Sequence, residues 1–189
     1  GTDDNNPNPS DKSPIPAKIE WTTEDPDIFD FVDATSQTGY SETVSGNSSV
    51  IHANFAGIST ITATYYSKIY DAQGQVSQKI KVNSTSLDAV VPIIVSLADN
   101  DGRTNISSYI YDTGDSISIT ANTYKDNPIV VTTSNTGVVS VASSSYNNAT
   151  LSVVGGGSTK VTVRTADGDG NTNLMYSFTV NSKVNFTAG

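Results

Sequence analysis

Oxygen-bearing side chains alternate along the segment ADGDGNTN, which places Asp167, Asp169, Asn171 and Asn173 at every second position. Ca²⁺ takes several oxygen ligands from one tight turn, so this spacing is typical of the start of a calcium loop. The segment lacks the bidentate Glu that closes an EF-hand loop, and Asp-Gly and Gly-Asn are also hairpin-turn residues. Two interpretations stay open, a plain turn and a calcium site formed by Asp167, Asp169 and Asn171, and no other cofactor is expected.

A second segment, ADNDGRTN, offers a similar set of oxygens from Asp99, Asp101 and Asn105. It also lacks a closing Glu, and its Asp-Gly pair is a turn signal in its own right. The same two interpretations therefore apply to it.

Residues for catalysis are few. His52 is the single histidine, and it alternates with apolar neighbours in SVIHANFAG, which directs its side chain away from the core. Asp25, Asp27 and Asp30 could form the carboxylate pair of a glycosidase, but they stand at a turn and a strand start, where Asp is favoured for backbone reasons. The chain also has no cysteine. The sequence therefore predicts a protein that is not an enzyme, with no catalytic residue.

Tyrosines are the candidates for ligand binding. Tyr66 and Tyr70 fall on the outward face of a predicted strand, opposite Tyr65 and Ile69. Aromatic faces stack on sugar rings and bury area against proteins. Tyr66 and Tyr70 are therefore predicted ligand-binding residues, and the alternative is that these rings merely cover a sheet face.

Composition limits the partners. The net charge is −9, with ten basic residues spread along the chain and no basic cluster, so binding to a phosphate backbone is disfavoured. No apolar run approaches the roughly 20 residues that span a bilayer. We expect no nucleic-acid partner and no membrane-spanning segment.

The elements that would position these residues occur twice. WTTEDPDIFDF at 21–31 returns as VTTSNTGVVSV at 131–141, and GISTITA at 57–63 returns as GSTKVTV at 157–163. A strand, a polar turn and a Gly-led alternating strand recur in one order, which indicates internal duplication. The first pair lies 110 residues apart and the second 100. The first copy therefore carries about ten extra residues in ATSQTGYSETVSGNSS, as a surface loop or an extra hairpin.

Further strands complete the pattern. Each copy closes with a hairpin, YDAQGQVSQKIKVN at 70–83 and ADGDGNTNLMYSFTVN at 166–181. Between the copies, AVVPIIVSL and SISITANTY are predicted strands, with Pro92 placing the first at a sheet edge. No segment has a helical apolar period. Short alternating strands with regular turns predict an all-β chain of two tandem immunoglobulin-like β-sandwich domains.

The segments DTGDSISITANTY, VVTTSNTGVVSV and GGGSTKVTVRT, taken in order, resemble the bacterial Ig-like group 2 domain over residues 90–181. The first copy, 17–83, has Trp21 where the family has its usual Trp and the second copy has Val131. It lacks the strand pair that should precede Trp21. Two interpretations are open: the first sandwich is incomplete, or the N-terminal tail or residues 84–111 supply the missing strands. Since an unfilled sheet edge is an aggregation hazard, we expect something to fill it.

The polar, Pro-rich tail GTDDNNPNPSDKSPIP cannot bury enough apolar surface to fold alone and is predicted to be a tether. It resembles the start of mature surface lipoproteins of Gram-negative gut bacteria, in which an acidic pair, here Asp3 and Asp4, follows the lipidated Cys. That resemblance implies a lipid anchor upstream of residue 1 and an extracellular, outer-membrane location. The alternative is an ordinary linker.

These observations together predict a tether over residues 1–16, a first sandwich over 17–83 that other strands complete, and a second sandwich over 84–189. Group 2 Ig-like domains serve as stalks and adhesion modules in surface proteins. The resemblance therefore implies a non-catalytic structural or adhesion module whose partner is a protein or glycan at the cell surface. The alternative is a carbohydrate-binding accessory surface lipoprotein.

Overall fold

The computed structural model describes residues 15–16, 19–70 and 72–184. They form two compact units, each described separately. Unit 1 contains the described residues up to Ala53 together with Ser59–Ala89, and unit 2 contains Asn54–Ile58 together with the described residues from Val90 onward.

Regular structure in the described ranges is almost entirely β-strand. The two helical elements are single 3₁₀ turns, Ile106–Ser108 and Thr172–Leu174. Among the described residues, no helix is both long enough and apolar enough to cross a membrane. The predicted fold class, an all-β chain of tandem immunoglobulin-like sandwiches, is confirmed.

The first eight strands build two sheets. In chain order they are β1 (Ile15–Pro16), β2 (Glu20–Thr23), β3 (Phe29–Val32), β4 (Tyr40–Ser41), β5 (Thr43–Ser45), β6 (Ile51–Ala53), β7 (Gly57–Tyr70) and β8 (Val76–Val91). One sheet has the order β8-β7-β2-β5, with β1 also paired to β7, and the other has the order β4-β3-β6.

The core of unit 1 is small. Phe29 and Phe31 alternate with outward-facing residues along β3, are fully buried, and meet edge to face with ring centroids 6.1 Å apart. Ile28 is the third buried large apolar side chain among the described residues of this unit. Few buried apolar groups therefore hold its two sheets together.

The second eight strands build unit 2. They are β9 (Val95–Asp99), β10 (Ile110–Tyr111), β11 (Ser116–Ala121), β12 (Ile129–Thr133), β13 (Val139–Ser144), β14 (Asn148–Val153), β15 (Gly157–Thr165) and β16 (Met175–Ser182). The two sheets have the orders β10-β16-β15-β12 and β13-β14-β11-β9. Fifteen buried hydrophobic residues from both sheets form one cluster, so this unit has a far larger core than unit 1.

The duplicated sequence has the same local structure in both copies, beginning with the turn between β2 and β3 in unit 1. The amides of Ile28 and Phe29 both donate to the carbonyl oxygen of Asp25. The Asp25 amide in turn donates to Ser59 Oγ on β7, at 2.8 Å. A hydroxyl near the start of β7 thus fixes the turn.

The turn between β12 and β13 repeats these bonds 110 residues later. The amides of Val138 and Val139 donate to the carbonyl oxygen of Asn135, and the Asn135 amide donates to Thr159 Oγ1 on β15, at 3.0 Å. The matching bonds confirm the predicted duplication. They also explain why the segment around Trp21 recurs, because in each copy an Asx residue and a hydroxyl together hold one polar turn between two strands.

The strands between the copies differ from the prediction in two places. AVVPIIVSL is not one strand, because β8 ends at Val91 and β9 begins at Val95, with Pro92 in the break. The strand expected to end at Asn83 continues to Val91, so the predicted division after residue 83 falls within β8. β9 does lie at a sheet edge.

The N-terminal tail and the segment after residue 83 both contribute residues to the sheet that contains β7. Ile15 and Pro16 pair with Lys68 and Ser67 of β7, and residues 84–91 lengthen β8. Among the described strands, β6 pairs with β3 alone. What completes the first sandwich beside β6 stays a prediction.

The extra residues of the first copy form neither a simple loop nor a hairpin. β4 pairs with β3 in one sheet, whereas β5 pairs with β2 in the other. The insertion therefore crosses from one sheet to the other, and it lines a cleft.

Candidate functional site

A cleft of about 490 Å³ lies in unit 1, where the insertion meets the end of β3. Its lining combines the end of β3, strand β5 and the segment before β6: Val32, Asp33, Ala34, Thr35, Thr43, Val44, Ser45, Ser48, Ser49 and Val50. Hydroxyl groups and valine side chains dominate this set. The cleft thus offers several groups that both donate and accept hydrogen bonds, beside small apolar patches.

Asp33 organises one wall of the cleft. Its Oδ1 accepts from the amide of Thr35 at 3.0 Å and from Thr35 Oγ1 at 2.6 Å, and its Oδ2 accepts from Ser41 Oγ at 2.6 Å. The hydrogen bonds from Ser41 and then from Thr35 hold the pKa of Asp33 below its usual value. Both carboxylate oxygens therefore shape the loop that carries β4.

Trp21 holds the other end of the insertion. Its indole Nε1 donates to the carbonyl oxygen of Gly46 at 3.0 Å, and the Gly46 amide donates to the carbonyl oxygen of Ile19. Gly46 has φ of +150°, a conformation that L residues with side chains rarely adopt. Trp21 thus positions β5.

Loss of the Asp33 carboxylate should loosen this wall. We expect Asp33→Asn to speed amide hydrogen exchange about tenfold over residues 34–42, because charge-assisted bonds are replaced by weaker ones. The wild type should show the same loosening in acid. Because the pKa of Asp33 is lower in the folded state than its unfolded value of 3.8, the stabilisation by the ionised carboxylate is full above pH 3.8 and is lost as the pH falls through the folded-state pKa. Unchanged exchange in Asp33→Asn, measured against the exposed Asp27→Asn as control, would contradict this assignment.

His52 lies on the outward face of the β4-β3-β6 sheet, as predicted. It stands opposite Asp30 in the β3–β6 ladder, and its Nδ1 lies 2.7 Å from Asp30 Oδ1. The ring of Tyr40 stacks on the imidazole, with centroids 3.6 Å apart. His52 is not among the residues that line the cleft. The arrangement fits a cross-strand pair that ties β4 and β6 to β3.

The predicted ligand-binding tyrosines are only partly placed. Tyr66 lies on β7 and is half-buried. Tyr70 ends the same strand, but its side chain lies outside the described part of the structure. Their role in ligand binding stays a prediction.

The predicted calcium ligands lie in the turn before β16. Asp167 Oδ1 accepts from Asn127 Nδ2 at 2.8 Å and from Thr165 Oγ1 at 2.7 Å, and Asn171 Oδ1 accepts from the amide of Asn173. Asp169 is exposed. Within the described ranges no three acidic, His or Cys side chains are grouped to hold a metal. Calcium binding by Asp167, Asp169 and Asn171 therefore stays a prediction.

The second acidic segment surrounds a buried carboxylate. Asp99 Oδ1 accepts from the amides of Asp101 and Arg103, and Oδ2 accepts from Tyr111 Oη at 2.8 Å. Arg103 Nη1 lies 3.2 Å from Asp99 Oδ2 and 3.0 Å from Asp101 Oδ2, and its guanidinium covers the ring of Tyr109. Arg103 thus supplies, between the two carboxylates, the positive charge that a bound cation would supply.

The environment of Asp99 shifts two pKa values. Burial acts to raise the pKa of Asp99, but the hydrogen bonds from Arg103 and Tyr111 outweigh it and lower the pKa to about 2. Burial, together with the bond to Asp99, raises the pKa of Tyr111 above its usual value. The cluster is therefore built to keep a carboxylate ionised beside a neutral phenol.

Sequence reasoning did not find the cleft. It located the insertion from the ten-residue difference between the copies, but hydroxyl-bearing residues in a loop carry no distinguishing pattern. Asp33, followed two residues later by Thr35, was the available local signal, since Asp commonly bonds the backbone two residues on.

No family model matches the chain, and no curated protein matches it. Among solved structures, the chain is similar to the C-terminal 282-residue fragment of intimin, solved in complex with the intimin-binding domain of the translocated intimin receptor. That likeness has a TM-score of 0.37 at 15% sequence identity and covers 91% of this chain and 54% of the fragment, so this chain spans about half of the fragment's length. At these values the likeness carries no argument about function.

Proposed function

We propose that the chain is a non-catalytic structural and adhesion module of a bacterial cell surface, built of two Ig-like domains of the group 2 type. The observation that supports the proposal is that both copies share one strand scaffold, whereas the insertion occurs in the first copy. The strand series β2, β3, β6, β7, β8 recurs as β12 to β16, but the insertion with its cleft of about 490 Å³ occurs in the first copy. A sheet scaffold that positions an elaborated loop region is typical of binding modules.

The lining of the cleft indicates the kind of ligand. Asp33 already accepts hydrogen bonds at both oxygens, so the hydroxyls of Thr43, Ser45 and Ser48 are the groups that would contact a ligand. Hydroxyls pair with neutral amide or hydroxyl groups, and the valines accept small apolar surfaces. A protein surface segment or a glycan at the cell surface fits these requirements.

The proposed location rests on the tail and on the charge. A polar tether formed by the residues before β1 would hold the sandwiches away from a lipid anchor upstream, as in outer-membrane lipoproteins. The net charge of −9 favours solubility and disfavours adhesion to anionic surfaces through charge alone.

The binding proposal is tested with the whole chain on arrays of glycans and of surface and matrix proteins, with and without calcium. We expect reproducible binding that Thr43→Arg removes, since an arginine there would fill the cleft. Thr120→Arg, also an exposed strand threonine but in unit 2, should keep the binding. Arrays that stay blank under both conditions would remove the adhesive role.

A carbohydrate-binding accessory lipoprotein is the second candidate, and the outward position of Tyr66 on β7 favours it. Thr60 and Thr62 bond Asp88 and Ser86 on the exposed face of that strand, and Tyr66 shares their side of the alternation. Binding that is restricted to glycans and lost in the double variant Tyr66→Ala/Tyr70→Ala, but kept in Thr43→Arg, would favour this candidate. Calcium dependence would direct attention to Asp167.

A further inference from the structure

Among the described residues, unit 1 has no strands that match those covering the equivalent face of unit 2. In unit 2, Val161 and Val163 of β15 are fully buried, and Phe178 of β16, which pairs with Val161, is 7% exposed. The corresponding strands of unit 1 are β7 and β8. A comparison of matched positions therefore shows what the missing strands leave uncovered.

The matched positions in unit 1 are open. Thr60 and Thr62 bond Asp88 and Ser86 across β7 and β8, which places Ile61 opposite Leu87. Ile61 is half-buried, and Leu87 is 59% exposed. Together with Ala63 and Tyr65, which border a small groove of about 90 Å³, these residues form what we call the open face.

The strand edge beside this face is open as well. In unit 2, β14 pairs with β11 on the side away from β13, and β11 buries Ile117 and Ile119 completely. In unit 1, β6 takes the place of β14 but has no such neighbour among the described strands. Ile51 of β6, which pairs with the buried Phe31, is left 42% exposed.

The segments outside the described ranges are poor in large apolar side chains. Residues 1–14 contain no large apolar side chain, and residues 185–189 contain one, Phe186. A strand that replaces β11 needs apolar side chains at alternate positions. Neither segment has that pattern, so the proposed occupant is a strand that does.

The size of the open face decides between a second copy and an inserted strand. Two strands over about seven residues cover roughly 220 Å², whereas each partner of a stable interface buries about 800 Å². Face-to-face pairing of two copies would thus be too small. An added strand also gains main-chain hydrogen bonds along β6, which compensate for a small apolar area.

We propose that unit 1 accepts an extended strand of another polypeptide at the free edge of β6, with alternate apolar side chains of that strand packed on Ile61, Ala63 and Leu87. This goes beyond the adhesion proposal and does not depend on the cleft. The acceptor surface recognises a β-strand with an Ile-x-Ile spacing, as in β11. Strand addition completes the second sheet as β11 completes it in unit 2.

The probe is a synthetic peptide of residues 114–123, GDSISITANT, which contains β11. Added to the whole chain, it is expected to slow amide exchange at residues 51–53 and to raise the melting temperature of unit 1. A peptide with both isoleucines replaced by serine should do neither. Leu87→Lys should weaken binding about tenfold, since the partner loses an apolar contact.

Val82→Lys is the matched control, because Val82 is 56% exposed and alternates to the other face of β8. Both variants change exposed residues, so folding should survive in each. No slowing at residues 51–53 at millimolar peptide, or equal weakening by the two variants, would overturn the proposal. So would a concentration-dependent dimer that Leu87→Lys abolishes, which would assign the face to a second copy. If the peptide bound but the glycan and protein arrays stayed blank, the strand-addition proposal would stand and the adhesion proposal would fail.

Discussion

Phe31→Ala is expected to unfold unit 1 at room temperature while unit 2 stays folded. Phe31 is fully buried and contacts Phe29. Among the described residues of unit 1, Ile28 is the one further buried large apolar side chain. Removing a buried Phe costs about 3–5 kcal/mol, and a domain of this size has a total stability of about 5 kcal/mol. The substitution therefore removes most of the free energy of unfolding of unit 1.

Leu151→Ala is the comparison in unit 2, where Leu151 is also fully buried. It should cost about 3 kcal/mol but leave unit 2 folded, since fourteen other buried residues share its cluster. Two-dimensional NMR reports the two units separately, so unit 1 resonances should collapse in Phe31→Ala and persist in Leu151→Ala. If Phe31→Ala collapsed both sets together, the units would be one cooperative domain, contrary to the proposed two-domain organisation.

Asp99→Ala should produce the largest loss of stability in unit 2 outside its apolar core. The change would leave the buried Tyr111 hydroxyl without its acceptor and release the amides of Asp101 and Arg103. Leaving buried polar groups unsatisfied costs more than the bond itself contributes. Tyr111→Phe removes one hydrogen bond and should lower the free energy of unfolding by about 1–2 kcal/mol. In thermal unfolding, Asp99→Ala should therefore melt well below Tyr111→Phe.

The same carboxylate predicts an acid dependence. Its folded pKa, about 2, lies below the unfolded value of 3.8, so the ionised form favours the folded state. The contribution of Asp99 is therefore full above about pH 4 and is lost as pH falls through 2. Asp101→Ala, at a largely exposed side chain, should leave the acid profile nearly unchanged. A profile that Asp99→Ala did not flatten would contradict the assignment.

The duplication was readable from the sequence because its causes are local. Alternation within β15 directs Val161 and Val163 inward whatever lies across the core, and both are fully buried. The polar turn needs only an Asx residue and a hydroxyl from the Gly-led strand. These are Asp25 and Ser59 in the first copy and Asn135 and Thr159 in the second.

The candidate site was less readable. The ten extra residues predicted an insertion, but no pattern in ATSQTGYSETVSGNSS predicts that β4 and β5 join different sheets. That division depends on the edges of β2 and β3, which are free only because of the arrangement of the other strands. The same holds for the bond between Trp21 and Gly46, which are 25 residues apart.

An acidic, all-β chain that uses one sandwich plan twice can be predicted from the sequence, because strand alternation and turn chemistry act over a few residues. The pairing of the strand edges is visible only in the folded chain. Ile15 pairs with β7, and the strand that continues past Asn83 also joins that sheet, so among the described strands β6 has β3 as its one partner. Strands that are distant in the sequence compete for the same hydrogen-bonding edges and for burial of their apolar side chains. A local sequence pattern does not show which strand wins that competition.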